Sequence, residues 1–415
     1  MADNTPASNG ARRRSEPVPY STEPESAISA EEFQASFGED IRQTLNLETW
    51  RVGADMSHEY QRIDREVREA VSREGDLQMQ IRSRLFPLLK NHPDAPKNAG
   101  IHVADRSLIE KIHREFLFSG NLEACDGSIQ VHDTLPLTIY QIGVSLVSYQ
   151  GNQGTWGQRL FRRDLQQNCA NPVDEAIALL ERRQQRSDMD KSDALGEMAQ
   201  KAILDYAERA ILLHRSKACW RMGHGNPITY ELLTGGGNLE LMVAATRVLR
   251  ELVEGHQKFV FVGQEPRDRL LFTMAQALRP MEFAIVSTLD ERLEHWLHQK
   301  RFTIAPSKLA WDDEMIPATE WIPRVIRQVA SKIVVGLYRA SLVAPAQMFY
   351  AHVDHADYAA HMVLADSVLQ EQRGRPLLTD MARHVCASVF GNSLETLTQT
   401  AYAAAGVPWG YVNER

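Results

Sequence analysis

Three acids stand where polar sequence gives way to apolar sequence. Asp126 lies in EACDGSIQVHD just ahead of a run dense in Ile, Val, Thr and Tyr, Glu231 in NPITYELLTGGG ahead of a helical pattern, and Glu265 at the end of KFVFVGQEP. Carboxylates brought from separate elements to one point are what a hard divalent cation needs, with oxygen donors at ~2.0–2.6 Å. Two such ions ~3.5–4 Å apart can hold both the attacking and the leaving oxygen of a phosphodiester. In Asp126-Gly127-Ser128 the glycine can take positive φ and the serine can tie down a turn, which would present the acid at the edge of a first core strand. Each acid also has a plainer reading. For Asp126 it is a turn before a strand, for Glu231 a surface residue at a helix entry, and for Glu265 a capping acid before Pro266.

Other clusters say less. Arg159, Arg162 and Arg163 in WGQRLFRRD, and Arg215, Lys217 and Arg221 in HRSKACWRMGHG, are the two places where a cleft for phosphates could be lined. Short basic runs are equally common on solvated faces. The formal net charge of −8 excludes a protein whose whole surface clamps nucleic acid, because phosphate contacts need clustered Lys and Arg, but it leaves room for a local basic cleft. AHVDHADYAAH holds His352, Asp354, His355, Asp357 and His361 within ten residues. On a helix His352 and His355 share one face and the other three lie elsewhere, an arrangement that surrounds a cation poorly. Gly235 to Gly237 precede a helix but no Lys-Ser/Thr follows, so a Walker site is excluded; GxGxxG and GxSxG are absent too. The four cysteines show no CxxC spacing, which indicates neither a zinc knuckle nor a disulfide framework and fits a reducing cytoplasm.

The elements that must carry these residues follow from periodicity. Hydrophobic residues make up 43% of the 415 and charged ones 24%, and no apolar run approaches the ~20 residues that span a bilayer, so a soluble protein is expected. Residues 1–28 are polar and rich in Pro, Ser and Glu and read as a disordered tail. Residues 29–120 read as a helical region: Tyr60, Ile63, Val67 and Val71 have helical spacing, HPDAPKNAG is a break, and Asp105 offers a cap for a helix ending at Gly120. From 121 to 415 the chain reads as one α/β domain. IQVHDTLPLTIYQIGVSLVSYQG gives antiparallel hairpins, AIALLERRQQR, EMAQKAILDYAERAILLHR and LELMVAATRVLRELVEG give helices, and KFVFVG and MEFAIVSTL give buried strands. Residues 321–345 fit strand, helix or both. The last 50 residues read as helical, with breaks at 374–376 and 391–392. Hairpins followed by helix-strand alternation describe a mixed sheet flanked by helices, as in RNase H-like domains.

In this order of motifs the chain resembles the NurA family of DNA-end nucleases over roughly residues 120–400, most closely in ACDGSIQVHDTLPLTIYQIGVSLVSY. The resemblance implies an α/β fold with an RNase H-like (Piwi-like) core and DNA hydrolysis with Mn2+ or Mg2+. It also implies a ring-like homodimer and partnership with a HerA-like hexameric ATPase in repair or defence, with no membrane. Asp126 matches the family's first metal-binding aspartate and Glu231 its middle glutamate. The next motif is an apolar strand ending in Asp-Gly; here FVFVGQEP has Gly263 near the expected acid and Glu265 two positions on. The late histidine would fall in GRPLLTDMARHV, where Arg383 stands at the expected position and His384 one beyond. The resemblance thus implies Asp126 and Glu231 as metal ligands and Arg383 as the late basic residue at the DNA; Glu265 is expected to supply the acid missing at Gly263, and the basic run Arg159, Arg162 and Arg163 is expected to contact DNA. A NurA-like scaffold that has lost catalysis and serves a translocating ATPase is the second reading.

Overall fold

A computed structural model of the chain describes residues 29–51, 56–92, 95–134, 137–162, 173–174, 177, 191–298 and 308–409. The chain divides into two compact units, Met1–Glu74 and Gly75–Arg415. In the first, the helix Ala30–Phe37 opens on a capping box: the Glu32 amide donates to Ser29 Oγ at 3.1 Å, and the Ser29 amide donates to Glu32 Oε2 at 2.9 Å. Gly38, at φ 71°, closes it. The helix Ser57–Gln80 begins in this unit and buries none of its residues, leaving Tyr60, Ile63, Val67 and Val71 exposed.

The second unit is built on one nine-stranded sheet. Its strands are β1 (Gly100–Val103), β2 (Leu122–Thr134), β3 (Leu137–Ser148), β4 (Gly151–Arg162), β5 (Trp220–His224), β6 (Phe259–Val262), β7 (Glu282–Thr288), β10 (Ile333–Arg339) and β11 (Gln347–His352). Between β7 and β10 in sequence lies a separate hairpin of β8 (Lys308–Trp311) and β9 (Glu314–Pro317). The order across the large sheet is β1-β7-β10-β11-β6-β5-β2-β3-β4. β2, β3 and β4 form an antiparallel meander, β5 and β6 run parallel to β2, and the remaining neighbours are antiparallel. The protein is therefore a mixed α/β structure with a large mixed sheet.

Alternation along the strands splits the core in two. Phe259 and Phe261 point into a cluster with Leu212, Leu249 and Leu252, whereas Val260 and Val262 join Val334, Ala359, Val363 and Leu378 on the other face. The helices Lys191–His214 and Leu239–Arg250 thus cover one face, and Ala356–Ser367 and Leu377–Ala404 cover the other.

Several sequence expectations change here. β1 starts at the last residue of the stretch read as a break and runs to Val103, so the 29–120 region is not wholly helical, and the boundary between compact units falls at 74/75. β5 lies in a stretch read as a basic run, and β11 ends on the first two residues of the histidine-rich segment. Residues 321–345 contain both a helix, Ala318–Gln328, and β10. The expected break at Gly391-Asn392 is absent: Leu377–Ala404 runs through it, with Gly391 bare of side chain where Gln130 Nε2 would lie 3.0 Å from a β-carbon. The helix expected at AIALLERRQQR lies outside the described residues. Among the described residues no helix is long and apolar enough to cross a membrane.

Candidate functional site

Asp126 is the fifth residue of β2, within the strand and not at a turn before it. Asp126-Gly127-Ser128 is extended and paired residue for residue with Ser145, Val144 and Gly143 of β3. The glycine serves close approach and not positive φ. A β-carbon at position 127 would lie 2.6 Å from Leu204 Cδ1 and 3.0 Å from Glu208 Oε1, so Gly127 lets the Lys191–His214 helix settle directly on the strand. On the opposite face the Asp126 side chain meets the Leu377–Ala404 helix. Ser128 Oγ and Cys386 Sγ are 3.2 Å apart, and a β-carbon at Gly143 would lie 2.2 Å from Phe390.

The strand beside β2 is β5, whose register Cys125–Gly223 places His224 next to Asp126. His224 Nδ1 is 3.9 Å from Asp126 Oδ1, and the imidazole is about one-third exposed while Asp126 is 5% exposed. Burial pushes the Asp126 carboxyl above the usual carboxylate range; His224, the Gly127 amide at 2.8 Å and Arg383 pull it back. Arg383, exposed on the Leu377–Ala404 helix, is a second positive charge acting on this carboxyl beside His224.

What fixes β5 against the helix is a buried guanidinium. Arg209, 1% exposed, donates from Nε to Pro227 O at 3.2 Å and from Nη2 to Asn226 O at 2.6 Å. From Nη1 it donates to Asp205 Oδ1 at 3.3 Å and to Glu208 Oε2 at 2.9 Å. Asp205 also accepts from the Thr229 hydroxyl, and Thr229 caps the next short helix. The turn following His224 is therefore tied to one turn of the long helix by a network whose members satisfy one another. Burial raises the Glu208 carboxyl, Arg209 opposes that, and Asp126 and Asp205 add to it.

The other expected ligands are elsewhere. Glu231 sits in the first turn of the helix Tyr230–Thr234, which packs mainly on the helices Lys191–His214 and Leu239–Arg250. Glu265 is exposed in the turn beyond β6. Since β5 separates β6 from β2, an acid on β6 starts two strand spacings, or about 10 Å, from β2. Gly263 has no room for an acid without displacement, since a β-carbon there would lie 3.1 Å from Met348 and 3.2 Å from Tyr350. Among the described residues no three His, Cys, Asp or Glu side chains converge on a point a cation could occupy, so Asp126, Glu231 and Glu265 are not brought together.

Arg159 lies on β4 and donates from Nε to Gln141 Oε1 at 2.8 Å. Arg162 ends β4, and Arg163 lies outside the described residues. The histidine-rich segment divides between β11 and a helix. His361 is buried, with Nε2 accepting from the Asp105 amide at 3.0 Å and Nδ1 at 2.8 Å from Asp357 O, a structural tie between elements. Sequence reasoning missed His224, Glu208 and Arg209. The available signal was the alternation Trp220-x-Met222 running into His224-Gly225, a short strand ending in a polar residue and a glycine.

No protein-family model matches the chain, and no curated protein matches it. Solved NurA structures are among those the chain aligns with, at TM-scores below 0.5. The NurA nuclease from Sulfolobus solfataricus is 9% identical, with 84% of this chain and 99% of that one covered and a TM-score of 0.41. A NurA structure with manganese is 11% identical, covering 71% and 95%, at a TM-score of 0.32. One bound to dAMP and manganese is 10% identical, covering 80% and 93%, at 0.35. Likeness at this level does not assign roles to residues.

Proposed function

We propose that the protein is a metal-dependent DNA nuclease with an RNase H-like core, and that Asp126 and His224 hold its divalent cation. The observation that carries this reading is the pair itself: a buried carboxylate and an imidazole about one-third exposed on adjacent strands, 3.9 Å apart. Two donors, each ~2.0–2.2 Å from one ion, can share it at that separation. The strand order β4-β3-β2-β5-β6, an antiparallel meander with two parallel strands on one side, supports the RNase H-like assignment. A cation held by only one or two protein groups keeps water and takes up substrate phosphate oxygens, which suits a site where, among the described residues, no third His, Cys, Asp or Glu converges. Carboxylate suits Mg2+ and Mn2+ alike, and the imidazole shifts preference from Mg2+ toward a transition ion. Once bound, such an ion lowers the pKa of water and neutralises developing charge on phosphate.

The chain's own residues do the rest. Arg209 holds the turn after His224, so the imidazole is positioned from beneath. Arg383, exposed and near Asp126, is placed to meet a phosphate. Glu231 and Glu265 have no part in this arrangement. With a net charge of −8, the protein would hold DNA weakly alone, and a homodimer served by a HerA-like hexameric ATPase would replace affinity with delivery. That no third such donor converges among the described residues favours one alternative, a NurA-like scaffold without catalysis. Cleavage of single- and double-stranded DNA by wild type and His224→Ala, with Mn2+ and with Mg2+, decides between them. The nuclease reading expects Mn2+-dependent cleavage that falls at least tenfold in His224→Ala. No cleavage by wild type with either ion selects the scaffold.

A further inference from the structure

The face of the sheet that carries Asp126 continues along β3 and β4 as a cleft that the cation pair does not use. Gln141 is opposite Arg159, and Gly143 is opposite Gly157, in a register unbroken from Ser145, the partner of Asp126. All therefore share one face. The two facing glycines make a floor on which the Phe390 ring lies: a β-carbon at 143 would be 2.2 Å, and one at 157 would be 2.4 Å, from that ring. Gln141 Nε2 donates to Phe390 O at 2.8 Å, which anchors the helix at that level. Around the ring, Gln141, Gly157, Gln158, Arg159, Phe161 and Phe390 line a cavity of about 470 Å³. Phe161 is 56% exposed there, an aromatic ring presented to solvent beside an exposed arginine. Among the described residues, Arg159 uses Nε on Gln141 Oε1 at 2.8 Å, and its Nη1 and Nη2 donate to nothing.

We propose that this cleft is a subsite for one base of single-stranded DNA, stacked on Phe161 with Phe390 behind it and its phosphate held by Arg159; this rests on the nuclease reading of the Asp126–His224 pair. A sequence-tolerant single-strand site needs an aromatic face for the base and a cation for the backbone, and the cleft has both. Its volume falls within the range of small-molecule clefts. The helix supplies Arg383, Cys386 and Phe390 at spacings of three and four, so one helix face follows the strand from Asp126 to the cleft. Four residues of β2 separate Asp126 from Gln130, which pairs with Gln141, a distance of about 13 Å. A strand whose phosphate sits at Asp126 would reach the cleft within a few nucleotides.

The test uses the full chain carrying Asp126→Asn and a single-stranded oligonucleotide with one 2-aminopurine, read by fluorescence quenching and anisotropy. Stacking on one aromatic ring predicts that Phe161→Ala weakens binding about 5- to 100-fold and abolishes the quenching, and that Phe161→Trp retains both. Arg159→Gln should weaken binding and flatten its salt dependence. Phe390 is left intact because it fills the space over the glycine pair. Unchanged affinity and quenching in Phe161→Ala, or no binding of single strands by the parent, overturns the subsite. Quenching by a protein that cleaves nothing with Mn2+ leaves the subsite standing and removes the nuclease reading instead.

Discussion

The two halves of the large sheet obey different rules. From β6 through β11 to β10 nearly every residue is buried on both faces: Phe259–Val262, Ile333–Tyr338 and Gln347–His352 read as continuous buried runs, mostly apolar. From β2 to β4 the face under the Leu377–Ala404 helix is lined by Asp126, Ser128, Gln141, Ser145 and Thr155, with glycines where the helix comes closest. A double-sided apolar strand contributes stability and can do little chemistry. A polar face covered by a single helix keeps charge near solvent and leaves a cleft at the helix edge. The site belongs to the half that is less well packed, and the apolar half supplies the rigidity that half lacks.

The contrast breaks most visibly in the apolar half. Phe349, fully buried, packs against Gly336, where a β-carbon would lie 2.2 Å from its ring. Phe349→Ala should cost about 3–5 kcal/mol in denaturant unfolding. A loss below about 1 kcal/mol would mean that this half is not the scaffold.

The next effect concerns Asp366, fully buried beside the polar face. It accepts from the Tyr149 hydroxyl and from the Leu378 amide at 2.9 Å, at the start of the Leu377–Ala404 helix. Burial pushes its carboxyl up to about 6. The folded state therefore binds a proton that the unfolded state has released between pH ~4 and 6, and stability from this group falls as pH rises through that window. Asp366→Asn should remove this part of the pH dependence, on the order of 2–3 kcal/mol between pH 4 and 7. Parallel stability-versus-pH curves for the two proteins would contradict it.

The smallest expected change is at Asp126. Its carboxyl is raised by burial, so ionisation at neutral pH works against the fold. Asp126→Asn keeps an oxygen for the Gly127 amide, and its melting temperature at pH 7 should equal or exceed that of wild type. A lower one would make Asp126 a structural residue.

How far the sequence could be read follows the same division. β6, β7 and the helix Leu239–Arg250 were legible because apolar runs and helical periodicity are local signals. The meander was legible from its density of β-branched and aromatic residues. Asp126 stands out in the sequence as a polar residue at a turn before a strand, and the structure puts it inside the strand. Glycine serves positive φ and close approach alike, and only the Leu204 and Glu208 contacts tell them apart. β5 was missed because WRMGH is five residues long, carries two basic side chains, and pairs in parallel with a strand 98 residues earlier, Leu122 opposite Trp220. Missing it moved the search for Asp126's neighbour one strand too far, to Gly263 and Glu265. Long-range parallel pairing leaves no periodic trace in a strand this short.

Titration of Mn2+ into the full chain, with free ion counted by electron paramagnetic resonance, addresses the central claim most directly. Wild type should bind Mn2+ more tightly as pH rises above the ordinary carboxylate range, because Asp126 must lose its proton first. Asp126→Asn and His224→Ala should each weaken binding at least tenfold, while Glu231→Gln and Glu265→Gln leave it unchanged. Equal affinity in wild type, Asp126→Asn and His224→Ala would contradict the account.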